Sequence, residues 1–323
     1  MEGSHVRHGV LEATLVSDPV APILGRRGSG SVHSVFPSVV NLELGSRLVT
    51  LAGPAVDLLP NGVRLARAVD FRRSGVLAGM PVEVDGARVE LPGAGLTIDV
   101  SQAASWSPRL VHPVGNAADV VAQARWRSRA AEVRALASVL VARRTDAVVG
   151  LGALLAPLDR RSLPLVAQVA APRLAGLGDA IRGGDAARAR RAAGDLVGLG
   201  PGLTPSGDDA LVGFAAAIVA MDGSAMGRLA FLRPVASGAA ARTTAVAATF
   251  LRHAAAGEFT GGIHGLVAGL LGPDSTAIEP AVGRVLGWGA TSGTDTLVGL
   301  LAGLDAAAGL EAAGSPATTR RAA

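Results

Sequence analysis

The segment Gly198–Gly213 reads GLGPGLTPSGDDALVG. Its last eight residues, SGDDALVG, recur 86 residues later as SGTDTLVG at Ser292–Gly299. Each copy follows further glycines and leads into an apolar stretch, so each is predicted to be a glycine-rich loop that enters a helix. Two copies do not make a solenoid, which needs about three or more repeats. The sequence therefore predicts two similar loop–helix elements facing each other across one pocket, with the active or ligand site at the first.

The rest of the chain divides near residue 112. The 323 residues are 49% apolar and 17% charged, which is enough apolar sequence for a substantial core. Short β-branched runs alternate with turn residues before that point, and helical spacing of apolar residues follows Pro113. We expect an α+β protein: a small antiparallel, barrel-like β domain (1–112), a larger helix-rich domain (113–312) and a flexible tail (313–323).

The predicted strands and helices follow from these patterns. The strands are Ser31–Phe36, Ser38–Leu44, Arg47–Ala52 and Gly95–Val100, with a hairpin over Pro81–Leu91. Asp85-Gly86 suits the type I′ turn of that hairpin, which needs positive φ at both central residues. The helices are Ala117–Arg144, Leu163–Arg182, Asp185–Val197, Asp208–Met221, Ser237–Ala256, Gly262–Leu271, Ile278–Leu286 and Thr294–Leu310.

Composition excludes several kinds of chemistry. The chain contains no Cys, no Lys and no Tyr, so its 30 basic residues are all Arg. Disulfides, thiolate catalysis, lysine Schiff bases and the P-loop lysine are therefore excluded, and six His at no convincing ligand spacing make a zinc site improbable. The glycine segment is not a dinucleotide-binding fingerprint, because a helix rather than a strand precedes it.

Nucleic acid and membrane are not expected partners. The pI near 11.0 does not indicate a strongly basic protein: without Lys, Tyr or Cys, little titrates between neutral pH and the Arg range, so a net charge of only +4 persists to high pH. The Arg residues are spread along the chain without interleaved aromatic residues. Apolar runs fall short of the roughly 20 residues that cross a bilayer, and no signal peptide opens the chain. We expect a cytoplasmic protein that forms an oligomer.

Two interpretations of the repeated segment compete. In the structural one, Ser206 with Asp209, and Ser292 with Asp295, form capping boxes, and Gly213 and Gly299 are helix contact points. In the functional one, Asp208 is the decisive residue, because capping gives it no task and Thr294 replaces it in the second copy. The difference between the copies favours a functional first copy.

Electrostatics narrows the expected ligand. A glycine-rich helix N-terminus attracts anions, whereas two adjacent carboxylates oppose them. A ligand with an amide or ammonium beside an anionic group, or an anion bridged by Mg²⁺, therefore fits better than bare phosphate. No cofactor is required, and Mg²⁺ at Asp208 is the one metal the sequence suggests.

The candidate residues form one set around this segment. Arg242-Thr243-Thr244 suits a carboxylate or phosphate clamp, and His253 is spaced about three helical turns from Arg242. His33 and Trp106 are candidates to line a pocket between the halves. The predicted catalytic residues are Asp208, Asp209, Arg242 and His264, and the predicted ligand-binding residues are Gly200, Gly202, Thr204, Ser206, Gly207, Thr243, Thr244, Ser292, Gly293 and Asp295.

Several of these segments resemble the AllH family. GLGPGLTPSGDDALVGF, Arg242-Thr243-Thr244 and the Gly287–Leu300 segment carry the resemblance, with weaker support from SVHSVF at residues 31–36 and from the Trp106 region. The resemblance implies a subunit of oxamate carbamoyltransferase in allantoin and purine breakdown, acting with FdrA-like and AllG-like subunits. It implies the reaction of oxalurate with phosphate to give oxamate and carbamoyl phosphate.

Three function hypotheses follow. The first is a carbamoyltransferase subunit in which glycine N–H groups and Arg242 hold the anionic end of the ligand and Asp208 holds its amide or Mg²⁺. The second is a non-catalytic subunit for assembly or for sensing a small ligand. The third, a small-molecule kinase or phosphatase using Mg²⁺ at the two aspartates, is weaker because phosphate transfer without Lys would depend on Arg and metal alone.

Overall fold

The computed structural model describes residues 9–110, 120–143, 150–155, 162–221, 229–272 and 276–314. The chain forms two compact units. The first contains the residues up to Arg109 together with Glu258–Gly261, and the second contains the remainder. The first unit is built on strands and the second on helices, which confirms the predicted α+β class.

The first unit is a β-barrel with a short helix, α1 (Ala21–Leu24). Its strands are β1 Gly9–Ser17, β2 Arg27–Val35, β3 Val39–Leu44, β4 Arg47–Ala52, β5 Gly62–Leu65, β6 Pro81–Asp85, β7 Arg88–Leu91, β8 Leu96–Asp99 and β9 Ala104–Trp106. They follow the order β5-β4-β3-β2-β6-β7-β8-β1-β9, and a further β1–β5 pairing closes the ring. Closure removes the free edges that would otherwise invite aggregation.

The barrel is mainly antiparallel, as predicted, but the pairings of β1 with β8, β1 with β9 and β4 with β5 are parallel. A parallel pair needs a crossover between its strands. For β4 and β5 the crossover is the segment 53–61. The β1–β5 pairing that closes the ring is antiparallel.

Alternation along the strands builds the barrel core. Buried and exposed residues alternate along β6 (PVEVD), and the same period continues through β7 and β8. Val82, Val89 and Ile98 are fully buried in the core by this alternation. The hairpin of β6 and β7 is confirmed, with Gly86 at φ +70°. The residues between its strands are Gly86 and Ala87, one position later than predicted, because Val84 pairs with Val89.

A short segment from late in the chain packs with this first unit. Phe259 N–H donates to the Pro108 carbonyl at 2.8 Å, and Gly261 N–H donates to the Leu58 carbonyl at 2.9 Å. Phe259 is 1% exposed. Residues 258–261 thus complete a unit whose other residues all precede 110.

The second unit consists of helices joined by loops. They are α2 Val120–Ala142, α3 Leu165–Arg182, α4 Ala186–Gly194, α5 Ser206–Met221, α6 Leu232–Gly238, α7 Ala245–Ala255, α8 Gly261–Leu271, α9 Ile278–Leu286 and α10 Ser292–Gly314. In the part of the chain that the structure describes, no helix combines the length and the hydropathy that a bilayer span requires. Most of the predicted tail, residues 315–323, lies outside the described residues.

One predicted helix is wrong. The stretch Ser237–Ala256 is not continuous: α6 ends at Gly238, and α7 begins at Ala245 after a short 3₁₀ turn. Thr244 is the reason, because it has extended backbone and its hydroxyl accepts from Ala247 N–H at 3.1 Å as the N-cap of α7. Arg242 therefore precedes the helix that carries His253, and the argument that placed them on one helical face fails.

Helix α5 is the centre of the second unit. Every one of its residues is buried, and its most extensive contact is with α10. At the crossing, a Cβ on Gly213 would lie 1.9 Å from the Thr296 carbonyl oxygen, and a Cβ on Gly299 would lie 1.9 Å from that of Ala210. Only glycine permits this approach. Since Thr296 and Ala210 are themselves equivalent in the two copies, the crossing is reciprocal.

Candidate functional site

Each repeated segment forms the first turns of the second helix in a helix–loop–helix element. In the first copy a loop of eleven residues (195–205) joins α4 to α5, and in the second a loop of five (287–291) joins α9 to α10. The loops meet directly, since the Thr204 and Ser292 hydroxyl oxygens are 2.7 Å apart. The copies face each other as predicted, but they touch directly through hydroxyl groups where a shared pocket was expected.

The predicted capping boxes do not form in the expected register. The Pro205 carbonyl accepts from the N–H groups of Asp208 and Asp209, at 2.9 and 3.2 Å, so Pro205 is the N-cap and α5 starts one residue earlier than a Ser206 cap would require. Pro205 has no side-chain acceptor, so Ser206 and Asp209 are free for other contacts. The second copy has the same register, because the Thr291 carbonyl accepts from Asp295 N–H at 2.8 Å.

Instead, the hydroxyl groups bond across the two copies. Ser206 of the first copy donates to the Asp295 carboxylate of the second, and Ser292 of the second donates to Asp209 of the first. The Thr204 hydroxyl is a second partner of Asp209; because Thr204 and Ser292 also bond each other and each has one proton, only one of the two donates to the carboxylate at a time. The contacts are reciprocal, like the glycine crossing, so these carboxylates link the copies rather than cap their own helices.

Asp208 has a different set of partners, all in the first copy or beside it. Its carboxylate accepts from Gly198 N–H at 3.1–3.2 Å and from the Thr243 hydroxyl at 2.6 Å. It is 2% exposed. The inference that Asp208 lacks a structural task is therefore wrong: it fastens the start of the long loop to the segment before α7. Its predicted catalytic role stays a prediction.

The first loop depends on glycine at three alternating positions. Gly198, Gly200 and Gly202 have φ of +73°, +111° and +101°, in the range that side chains disfavour. A Cβ on Gly198 would lie 2.1 Å from the Arg242 carbonyl oxygen, whereas a Cβ on Gly202 would meet nothing within 4 Å. Pro201, Gly202 and Leu203 are exposed, so the loop has a packed base and an open tip.

Two predicted ligand-binding glycines are used for packing. A Cβ on Gly207 would lie 2.1 Å from the Leu196 carbonyl oxygen, and a Cβ on Gly293 would lie 1.8 Å from that of Val285. Each glycine thus lets the first turn of its helix approach earlier backbone, at the start of the first loop for Gly207 and in the helix before the second loop for Gly293. In the first copy, the backbone groups that remain available to a ligand are therefore those at the exposed tip of the loop, before Gly207 in the sequence.

Arg242, Thr243 and Thr244 run alongside this loop. Thr243 donates to Asp208, and Thr244 donates to the Leu203 carbonyl while capping α7. The Arg242 guanidinium is exposed and acts electrostatically on Asp208. The two threonine hydroxyls therefore hold the loop, and Arg242 is the member of the predicted clamp that remains open to solvent.

All three aspartates have raised pKa values. Burial raises the pKa of Asp208 to about 6, against the hydrogen bonds from Thr243 and Gly198 and the charge of Arg242, which lower it. Burial raises the pKa of Asp209 well above its usual value, and the nearby Asp295 raises it further. Burial likewise raises the pKa of Asp295, against hydrogen bonds from Leu151 N–H and two hydroxyls. The cluster thus resists carrying its full negative charge at neutral pH.

Leu151 is a site residue that sequence reasoning missed. Its N–H donates to Asp295 Oδ1 at 2.6 Å. Gly150, at φ +91°, allows this approach, because a Cβ there would lie 2.7 Å from the same oxygen. A lone glycine far from the repeated segments was the only available signal, and it is not specific enough to predict the contact.

The remaining candidates belong to other helices and strands. His264 is half-buried in α8 and His253 is half-buried in α7. His33 lies in β2 with its Nδ1 3.1 Å from the Ser34 hydroxyl, and Trp106 lies in β9. Trp106 lines a cavity of about 10 Å³ in the first unit, which is hardly room for one water.

Comparison with protein families agrees with this geometry. Residues 196–304 match the model described as oxamate carbamoyltransferase subunit AllH, and residues 12–105 match the AllH family N-terminal domain. The first match begins in the long loop and contains both loop–helix copies, and the second lies within the barrel. No solved structure matches the chain. The two matches together cover more than half of the sequence, so this chain belongs to the AllH family.

Proposed function

We propose that this chain is the subunit of a carbamoyltransferase that binds the small-molecule substrate, and that the long loop (195–205) holds it. The difference between the two loops supports this proposal. The first loop is six residues longer than the second, and it has its own anchoring carboxylate, Asp208. A loop needed only to connect helices could be as short as its partner.

The tip of the loop has the groups that an anion requires. Among the described residues, none accepts a hydrogen bond from the N–H groups of Gly200 and Gly202. They precede the N-terminus of α5, whose partial positive charge favours anions. Arg242 adds an exposed guanidinium. Together these groups suit a carboxylate or phosphate, and the loop carbonyls suit the amide of a carbamoyl ligand.

The proposed reaction converts oxalurate and phosphate into oxamate and carbamoyl phosphate. A phosphate oxygen forms a bond to the carbamoyl carbon, the bond from that carbon to the oxamate nitrogen breaks, and the nitrogen takes up a proton. Negative charge grows on the carbamoyl oxygen during the attack. N–H groups and a guanidinium fixed around that oxygen would stabilise it, and positioning of the two reactants would supply further rate.

The family name describes a subunit, so the proposed activity needs partner chains. We propose FdrA-like and AllG-like proteins as those partners, in the cytoplasmic breakdown of allantoin and other purine products. The direct experiment co-expresses the three chains and measures carbamoyl phosphate formed from oxalurate and phosphate. Omission of this chain should remove the activity.

Gly202→Ala tests the loop itself. Because a Cβ at this position meets no neighbour, its effect comes from the φ of +101° alone, and the tip must change conformation. We expect turnover or substrate affinity to fall by roughly tenfold or more, since misplacing a binding group by about 1 Å can cost about a hundredfold. Gly238→Ala is the matched control, because Gly238 also has no neighbour but has φ −88°.

An active Gly202→Ala complex would exclude the loop tip as the substrate site. One observation favours a non-catalytic subunit as the second candidate: Asp208, Asp209 and Asp295 are 2%, 8% and 0% exposed, so none is open to a ligand. That candidate predicts that omission of the chain prevents assembly of the complex while Gly202→Ala changes nothing. Gel filtration of the three-chain mixture, with the activity assay, separates the two.

A further inference from the structure

Among the described residues, no positively charged side chain acts on the buried carboxylates of Asp209 and Asp295. Asp209 and Asp295 are 8% and 0% exposed, and each has one oxygen, Oδ2, without a hydrogen-bond partner. Burial, hydroxyl groups, one backbone N–H and other carboxylates shift the pKa values of these two carboxyls, and no cation among the described residues does so. Arg242 acts on Asp208 instead. Leaving two such charges unpaired in an interior would cost several kcal/mol each.

The helix ends offset only part of this charge. Asp209 and Asp295 lie in the first turns of α5 and α10, and each helix N-terminus contributes roughly half a unit of positive charge. About one negative charge is then left over for the pair. The Oδ2 atoms of Asp209 and Asp295 have no hydrogen-bond partner, so a cation would bind most strongly beside them.

The side chains that reach the two carboxylates all offer oxygen atoms as possible ligands, and the remaining contact is the Leu151 N–H on Asp295 Oδ1. The hydroxyls of Ser206, Ser292 and Thr204 reach the same two carboxylates. A hydroxyl that donates its proton to a carboxylate still has lone pairs for a cation. Oxygen-only ligands select hard cations, namely alkali and alkaline-earth ions, over transition metals.

We propose that Asp209 and Asp295 bind one hard cation between the two loop–helix copies, with the surrounding serine and threonine hydroxyls as further ligands. The described residues contain no group of three or more His, Cys, Asp or Glu side chains arranged for a metal, so the site depends on two carboxylates and hydroxyls. Asp208 is not a ligand, because Gly198 and Thr243 already occupy its carboxylate. The sequence suggested Asp208 as the metal ligand, and we propose its neighbour Asp209 instead. The ion's role is to hold the copies together, whatever activity the loop tip has.

The test measures thermal unfolding of the full chain after removal of bound metal. Samples receive Na⁺, K⁺, Mg²⁺ or Ca²⁺, or tetramethylammonium at the same ionic strength as a cation too large for the site. We expect one ion class to raise the melting temperature by about 5 °C or more at saturating concentration. Elemental analysis of the protein as purified should find close to one equivalent of a divalent ion if that class responds.

Asp209→Asn and Asp295→Asn should abolish the response, whereas Asp305→Asn should keep it. Asp305 is a suitable control, because its carboxylate is 64% exposed and pairs with Arg134 at 2.8 Å. Identical melting temperatures of the wild-type chain in all five salts, without bound metal, would overturn the proposal and assign a shared proton to the pair. That outcome needs no variant to fold, and it leaves the proposed carbamoyl transfer untouched because activity is not the readout.

Discussion

The two loop–helix copies share their packing and differ in their loops. Both helices pass each other at a glycine, Gly213 or Gly299, and both contribute a buried carboxylate to the other copy's serine. Only the first copy has the eleven-residue loop and Asp208. The shared features therefore build the fold, and the features confined to one copy are where function is expected. The predictions below test this division.

The largest effect is expected at the helix crossing. Gly213→Ala and Gly299→Ala should each destabilise the second unit by more than about 3 kcal/mol, because the added Cβ would lie 1.9 Å from a backbone oxygen that cannot rotate away. Urea denaturation would measure both. Gly265→Ala, in α8 with no neighbour within 4 Å, should be neutral or stabilising. Very different losses for Gly213→Ala and Gly299→Ala would show that the crossing is not reciprocal.

The next effect should separate the loops. Gly198→Ala should cost about 2–4 kcal/mol, because the position combines φ +73° with a Cβ 2.1 Å from the Arg242 carbonyl oxygen. Gly287→Ala, at the start of the short loop, should cost less than about 1 kcal/mol, since its φ is −76° and the nearest backbone oxygen is 3.3 Å away. Equal losses in thermal or urea unfolding would contradict the claim that the first loop alone is anchored at its base.

A smaller effect concerns pH. Burial raises the pKa of folded Asp208 to about 6 from the value of 3.8 expected in the unfolded chain. Between these values the folded chain keeps a proton that the unfolded chain releases, so stability falls as pH rises from about 4 to 6 and then levels off. Asp208→Asn should remove up to about 3 kcal/mol of this pH dependence. Unfolding measured from pH 4 to 7 checks it, with Asp305→Asn as the unaffected control; an unchanged slope in Asp208→Asn would refute the assignment.

The smallest effect should be the same in both copies. Ser206→Ala and Ser292→Ala each remove one hydroxyl that reaches the other copy's carboxylate. We expect each to cost about 1–2 kcal/mol, the usual loss when a hydrogen bond to a buried acceptor is removed. Urea unfolding of the two single variants would reveal any asymmetry. A loss confined to Ser292→Ala would mean that its contact with Thr204 matters more than the reciprocal carboxylate bonds.

Much of the fold could be predicted because local patterns determine it. The hairpin of β6 and β7 and the helices α5 and α10 follow from periodicity and turn residues within each segment. Strand β5 has four residues and β9 has three, too few for a pattern to emerge, and both are placed by pairing with β1. Long-range pairing of that kind leaves no signal in a single sequence.

The sequence predicted where the site lies, but it did not predict which groups bond to each other there. Comparison of the two copies located the carboxylates and the facing loops. It could not show that Ser206 would bond Asp295 rather than cap its own helix, because the capping pattern is local and the competing partner is 89 residues away. Asp208 was singled out because the capping pattern gives it no partner. Its hydrogen bonds come from Gly198 and Thr243, which lie 10 and 35 residues away in the sequence.

The reciprocal glycine crossing also has a consequence for how this region opens. Each helix approaches the other's backbone through a residue with no side chain, so neither can move outward without uncovering the other's amides. Amide hydrogens of residues 207–213 and 293–299 should therefore exchange with solvent through one shared opening event, with equal protection and equal response to denaturant. Although these amides lie in separate stretches of sequence, exchange experiments should detect them as a single cooperative unit.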